Sequence, residues 1–203
     1  MDIRELAVPD CYVLELVPHG DSRGSFVEWF RANVLSEAIG YPFGLAQANH
    51  SVSARGALRG VHYALVPPGQ AKYVYCPAGK VLDVIVDVRV GSPTFGVHDT
   101  VLLDSDNPRA VFLSEGVGHA FVSLAPASSA TYLLSSPYAP EREFGIDPMD
   151  PELDLPWPAD LEFELSAKDR KAPSLAEARE RGLLPTMERC AARYAELRST
   201  PAR

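Results

Sequence analysis

The chain has 203 residues, 46% of them apolar and 23% charged, enough to bury a core in one domain or in a domain with a tail. Its net charge of −8 excludes an overall basic field for nucleic acid or an anionic membrane, so an anionic ligand must be met by local Arg and Lys. Cys11, Cys76 and Cys190 form no CxxC pair, no apolar run reaches the roughly 20 residues of a membrane span, and Met1-Asp2-Ile3-Arg4-Glu5 lacks a signal-peptide run, so a cytoplasmic location is expected.

Taken in chain order, most of the chain reads as β. The runs Tyr12 to Leu16, Lys72 to Cys76, Val81 to Val90, Thr100 to Leu103, Ala110 to Leu113 and Thr131 to Leu134 are β-branched or aromatic. Gly, Pro, Asn and Asp separate them at spacings near ten residues, which predicts antiparallel strands in a sandwich or barrel. Asp21-Ser22-Arg23-Gly24 reads as a turn, with a strand over Phe26 to Trp29. In Val81 to Val90, alternation puts Asp83, Asp87 and Arg89 on one face with Ile85.

Helices are predicted over Arg31 to Ile39, stopped by Gly40, and over Met187 to Leu197. Ser174 to Arg181 is a further helix, with Ser174 and Glu177 as a capping box and Gly182 as its stop. The Pro-rich, acidic segment from Pro137 to Pro158 reads as ordered loop. Fraying is expected over Ser199 to Arg203.

Several short motifs carry candidate chemistry. A metal would need clustered His and carboxylate ligands, but His62 is followed by Tyr63 and Ala64, and His50, His98 and His119 stand apart; no metal is expected. Arg59 and His62 flank Gly60 and would point to opposite faces of an ideal strand. They are either a surface Arg and a core His, or, with a bend or bulge at Gly60, two groups facing one cavity. Pro67-Pro68-Gly69 delivers Lys72 into a strand, facing either solvent or the interior. Gly116-Val117-Gly118-His119 is either a plain turn into a strand or backbone packed closely on a ligand.

Together these motifs are more specific than any one of them. The ordered set Asp21 to Gly24, Gln47-Ala48-Asn49-His50-Ser51, Leu58 to Tyr63, Gln70-Ala71-Lys72, Asp83 to Arg89 with Gly91 to Gly96, Gly116 to Phe121 and Leu165-Ser166-Ala167-Lys168-Asp169 resembles the dTDP-4-dehydrorhamnose 3,5-epimerase family over residues 2 to 185. Leu175 to Arg179 and Gly182 to Pro185 resemble its branch for natural-product deoxysugars. The resemblance implies a cupin-like antiparallel β-barrel (jelly roll) over residues 1–165, a helical extension over 166–203, a homodimer and no cofactor.

The implied substrate is a dTDP-4-keto-6-deoxyhexose, inverted at C3, C5 or both through an enolate. By resemblance His62 is the base, Asp169 its partner carboxylate, Lys72 the electrophile at O4 and Tyr132 the acid on the other face. Arg23 and Arg59 are the implied diphosphate ligands. Glu28, Gln47 and Asn49 match nucleotide or phosphate positions, Phe26 and Tyr138 lie near the thymine, and Asp83 and His119 line the sugar pocket. His19, Ser25 and Leu133 depart from the family, where an aromatic, a Phe and a Lys are common. The competing readings are a 3,4-ketoisomerase on the same barrel and a non-catalytic sugar-nucleotide binding module.

Overall fold

The structure is a computed structural model and describes residues 2–199. Its elements begin with β1 (Asp2–Glu5), β2 (Cys11–Glu15), β3 (Pro18–Asp21), β4 (Gly24–Val27), α1 (Ala32–Ile39), β5 (Gln47–Ser53) and β6 (Leu58–Ala64). There follow β7 (Lys72–Ala78), β8 (Lys80–Val86), β9 (His98–Asp104), β10 (Arg109–Leu113), β11 (Gly118–Ser123), β12 (Ser128–Leu134) and β13 (Glu143–Gly145). A 3-10 turn (Asp169–Lys171), α2 (Leu175–Glu180) and α3 (Met187–Ser199) complete the described chain.

The fold is mainly β, with few helices. One sheet has the order β1-β2-β10-β7-β12-β5, the other β13-β6-β11-β8-β9, and β3 and β4 form a separate hairpin. Neighbouring strands run antiparallel. From β5 onward the chain crosses between the sheets at each step, except from β8 to β9, which pair directly.

The two-residue period explains what is buried where. On β7, Val74 and Cys76 enter a core shared with Ile85, Leu103, Val111 and Phe121 of both sheets, while Tyr73 and Tyr75 face outward. Each fully buried Val, Leu or Phe contributes roughly 1.5–3 kcal/mol. The inward rows turn polar toward one end: Lys72 continues the row of Val74 and Cys76, Asp83 lies between Val81 and Ile85, and His119 precedes Phe121. These positions supply the polar groups of the site.

Both outer faces are covered. Leu35 and Ile39 of α1 pack on Tyr73 and Phe112 of the six-stranded sheet. Leu175 and Ala178 of α2 pack on Val61 and Tyr63 of the other. The expected caps are present: Gly40 ends α1 at φ 80°, and Ser174 and Glu177 exchange both capping-box hydrogen bonds.

The structure corrects several expected boundaries. The strand expected over Val81 to Val90 ends at Val86, because the Asp87 carboxylate turns to grip Arg89 (Nε 2.9 Å, Nη2 2.9 Å), Ser92 and Thr94. Arg89 is fully buried and also reaches Asp10 and Tyr194, joining the N-terminal region and α3 to the sheets. The strand expected to reach Trp29 ends at Val27. The segment from Pro137 to Pro158 is not all loop, since β13 pairs with β6 from Ala64 to His62. The α3 helix runs through Ser199; the rest of the tail expected to fray, residues 200–203, lies outside the described residues.

Candidate active site

The site starts from an irregularity in β6. His119 pairs with His62 and Phe121 with Arg59, so a two-residue step on β11 spans three on β6. This register shift is the bulge that Arg59 and His62 need to face one cavity, and both side chains line the cleft. Gly60 sits within it at φ 120°, and a Cβ there would lie 2.5 Å from Ala120 Cβ. Only glycine meets both conditions.

The cleft has two lobes sharing Arg59, His62, Tyr138 and Glu143 as walls. The inner lobe, about 360 Å³, is also lined by Gln47, Asn49, Gln70, Lys72, His119, Phe121 and Tyr132. The outer lobe, about 490 Å³, is lined in addition by Ser53, Glu164, Ser166, Lys168 and Asp169.

His62 Nε2 lies 2.6 Å from Asp169 Oδ1, while Ser166 Oγ donates to Asp169 Oδ2 at 2.9 Å. Burial opposes ionisation of Asp169, but the bonds to His62 and Ser166 outweigh it and hold the carboxyl below its ordinary range. An ionised Asp169 accepts from Nε2–H and leaves Nδ1 with the lone pair. The imidazole remains 36% exposed, open to a ligand, whereas Asp169 is 5% exposed behind it.

Burial pushes the Lys72 ammonium down to about 8, against the opposing pull of Glu143 and Asp83. Burial pushes the Tyr132 phenol up to about 12, so it is a neutral proton donor near neutral pH. His119 Nε2–H donates to Asp83 Oδ1 at 2.7 Å, and its ring meets Tyr132 edge-on at 6.2 Å. The other Asp83 oxygen is buried with no hydrogen-bond partner among the described residues. Asp83 therefore backs His119 and is not itself part of the cleft wall.

Arg59 Nε donates to Ser53 Oγ at 3.1 Å, which fixes the guanidinium at the lobe boundary. Gln47 Oε1 accepts from the Tyr138 amide at 3.0 Å, and Tyr138 is 58% exposed at the mouth. Three expected site residues are elsewhere. Arg23, Phe26 and Glu28 line neither lobe; Arg23 pairs with Asp21, Glu28 with Arg31, and Phe26 is 67% exposed. The physical reason is a tertiary contact: Trp29, which follows the β3–β4 hairpin, stacks on Tyr75 on the outward face of β7, while Lys72 and Val74 of that strand face the interior.

Ser53, Gln70, Glu143, Ser166 and Lys168 also line the cleft, beyond the residues expected there. Ser53 continues the alternate row from Gln47 and Asn49, and Ser166 and Lys168 flank Asp169 in its motif, so a signal existed for these. Glu143 had none, lying in an irregular Pro-rich segment.

A β-sheet cleft holding a His–Asp pair, a half-buried Lys and a half-buried Tyr is equipped for acid–base proton transfer on a polar ligand. The family model for dTDP-4-dehydrorhamnose 3,5-epimerase matches residues 5–177. The chain is 51% identical over 198 residues to a dTDP-4-dehydrorhamnose 3,5-epimerase of Mycolicibacterium smegmatis, covering 98% of each. It is 50% identical to a dTDP-4-dehydro-6-deoxyglucose 3-epimerase of a Streptomyces species, covering 90% of this chain and 93% of the relative. Among solved structures, a 3′-monoepimerase from Streptomyces bikiniensis in complex with dTDP-quinovose superposes with TM-score 0.94 at 47% identity, covering 96% of this chain and 98% of that one. The chain belongs to the dTDP-4-dehydrorhamnose 3,5-epimerase family.

Proposed function

We propose that this protein is an epimerase that inverts C3, C5 or both of a dTDP-4-keto-6-deoxyhexose, in deoxysugar biosynthesis. The observation that carries the reading is the hydrogen-bonded His62–Asp169 pair in one cleft with Lys72 and Tyr132. Protons at C3 and C5 are acidic because each lies beside the C4 ketone. His62 takes one through Nδ1, and Asp169 orients the ring and stabilises the imidazolium. Lys72 supports the negative charge that develops on O4. Tyr132 gives a proton to the opposite face. The reaction only moves protons, so it needs no redox cofactor.

Arg59 holds the diphosphate with its planar fork. Gln47, Asn49 and Tyr138 bound the nucleotide side, and His119, held by Asp83, contacts the sugar. The fold reads as a closed cupin-like barrel over residues 1–165, with 166–203 as an extension that contributes Asp169. A homodimer accounts for Arg23, Phe26 and Glu28: an exposed hairpin that lines no part of its own cleft can reach a partner's. No helix among the described residues is long and apolar enough to cross a membrane, and the free, buried cysteines suit a reducing cytoplasm.

The test is dTDP-4-keto-6-deoxyglucose in deuterated water, followed by proton NMR. Deuterium is expected at C3, C5 or both, and position and order of labelling separate single from double inversion. His62→Asn is expected to abolish uptake while dTDP still binds. Uptake by the variant at the parent rate would require a different base.

A further inference from the structure

Alternation on β5 places Gln47, Asn49, Ser51 and Ser53 in one row. Gln47 and Asn49 line the inner lobe, Ser53 lines the outer lobe and holds Arg59, and Ser51 lies between them. Ser51 pairs with Ala130 of β12 in register, and Asn49 with Tyr132, so Ser51 and Tyr132 are diagonal neighbours. Ser51 Oγ lies 3.3 Å from Tyr132 Oη and 3.5 Å from the Ala130 carbonyl oxygen. No other hydrogen-bond partner of the phenol is found among the described residues.

A serine hydroxyl has one proton to give. If Ser51 donates to the Ala130 carbonyl, its lone pair receives the Tyr132 proton, and that proton points at β5. If Ser51 donates to Tyr132 Oη, the phenol proton is free to point into the cleft. Both contacts are longer than the usual O–H···O distance, so neither arrangement is locked.

We infer that Ser51 is a positioning residue for Tyr132, aiming the phenol proton at the enolate carbon and supporting the phenolate left behind. The inference rests on the epimerase reading above. In the step concerned, the substrate C–H bond breaks toward His62 and leaves an enolate. A new C–H bond then forms on the opposite face with the Tyr132 proton. The phenolate accepts a hydrogen bond from Ser51 until water restores its proton, while His62 releases to water the proton it removed.

This assignment separates two rates. Removal and return of a proton by His62 alone exchanges the substrate with retention and does not need Ser51. Inversion needs Tyr132 and therefore Ser51. The experiment measures both for dTDP-4-keto-6-deoxyglucose in deuterated water, by NMR of recovered substrate and of epimer. Ser51→Ala is expected to lower inversion by about tenfold or more, the cost of a hydrogen bond to a developing charge, with KM and exchange with retention unchanged. Ser51→Thr, which keeps the hydroxyl on a strand-compatible side chain, is expected to restore most of the inversion. Equal losses in both rates for Ser51→Ala, unaffected inversion, or no rescue by threonine would overturn the assignment. Absence of any exchange by the unmodified protein would instead overturn the epimerase reading, and this assignment with it.

Discussion

His62 Nε2 and Asp169 Oδ1 meet at 2.6 Å although 107 positions separate them in the chain. One sits in β6, the other in a 3-10 turn beyond the β region, so the strongest polar contact of the cleft depends on the C-terminal segment docking correctly. Asp169→Asn keeps the shape but can donate to Nε2 and so favour the wrong tautomer. A loss in kcat of about 10²–10⁴ is expected, with dTDP affinity preserved by titration calorimetry. The same substitution tests acid stability. The hydrogen bonds that lower the Asp169 pKa in the folded state contribute stability that is complete above its ordinary 3.8 and fades as pH falls through the lower folded value. The gap in urea midpoint between parent and variant is expected to narrow below that range.

Lys72 gives a prediction on the alkaline side. Burial lowers its ammonium to about 8, so the cation proposed to support O4 is full below that pH and lost above it. A decline in kcat/KM as pH rises through about 8 is expected. Lys72→Met should cost about 10²–10³ in rate and remove this limb from whatever activity remains. A limb that persists in the variant would assign the titration to another group.

Gly60→Ala tests the bulge. The new methyl would meet Ala120 Cβ at 2.5 Å and the His119 carbonyl oxygen at 2.6 Å, on a backbone at φ 120°. Destabilisation of about 3 kcal/mol or more is expected by urea denaturation, from strain and overpacking together. Any folded fraction should lose activity, because the register that turns both Arg59 and His62 inward is gone.

How much of this was legible in the sequence depends on the range of the physics involved. Period-two alternation places Lys72 beside Val74 and Cys76, and the spacing of Arg59 and His62 around Gly60 shows that the two can face one cavity only with a bend or bulge there. Ser174, Glu177 and Gly40 mark helix ends because capping is local. The His62–Asp169 contact has no local signal and was readable only through resemblance. The end of β8 at Val86 comes from Asp87 gripping Arg89, which is itself held by Asp10 and Tyr194, both remote in sequence. The anchoring of the chain after the β3–β4 hairpin depends on Trp29 stacking on Tyr75, again a tertiary contact.

That hairpin yields a prediction about assembly. If a partner's Arg23 and Phe26 complete the cleft, an Arg23→Ala, Phe26→Ala chain and a His62→Asn chain are each inactive alone. Mixed and refolded together, they should recover about a quarter of the parent activity per site, since a hybrid dimer in an equal mixture holds one intact cleft. Sedimentation would show the dimer directly. No recovery from a confirmed hybrid would mean that the hairpin does not reach across.

The register shift on β6 has a consequence for reach. On the proposed reading, with Arg59 on phosphate and His62 on carbon, the two grips lie three positions apart on one strand, fixed to each other by backbone rather than by loops. Such a strand works as a gauge: it measures the span from a diphosphate to a ring carbon. A 4-keto hexose bearing a single phosphate would sit out of step with it. Its C–H exchange, compared with that of the dTDP-linked sugar, would show how strictly the gauge is applied.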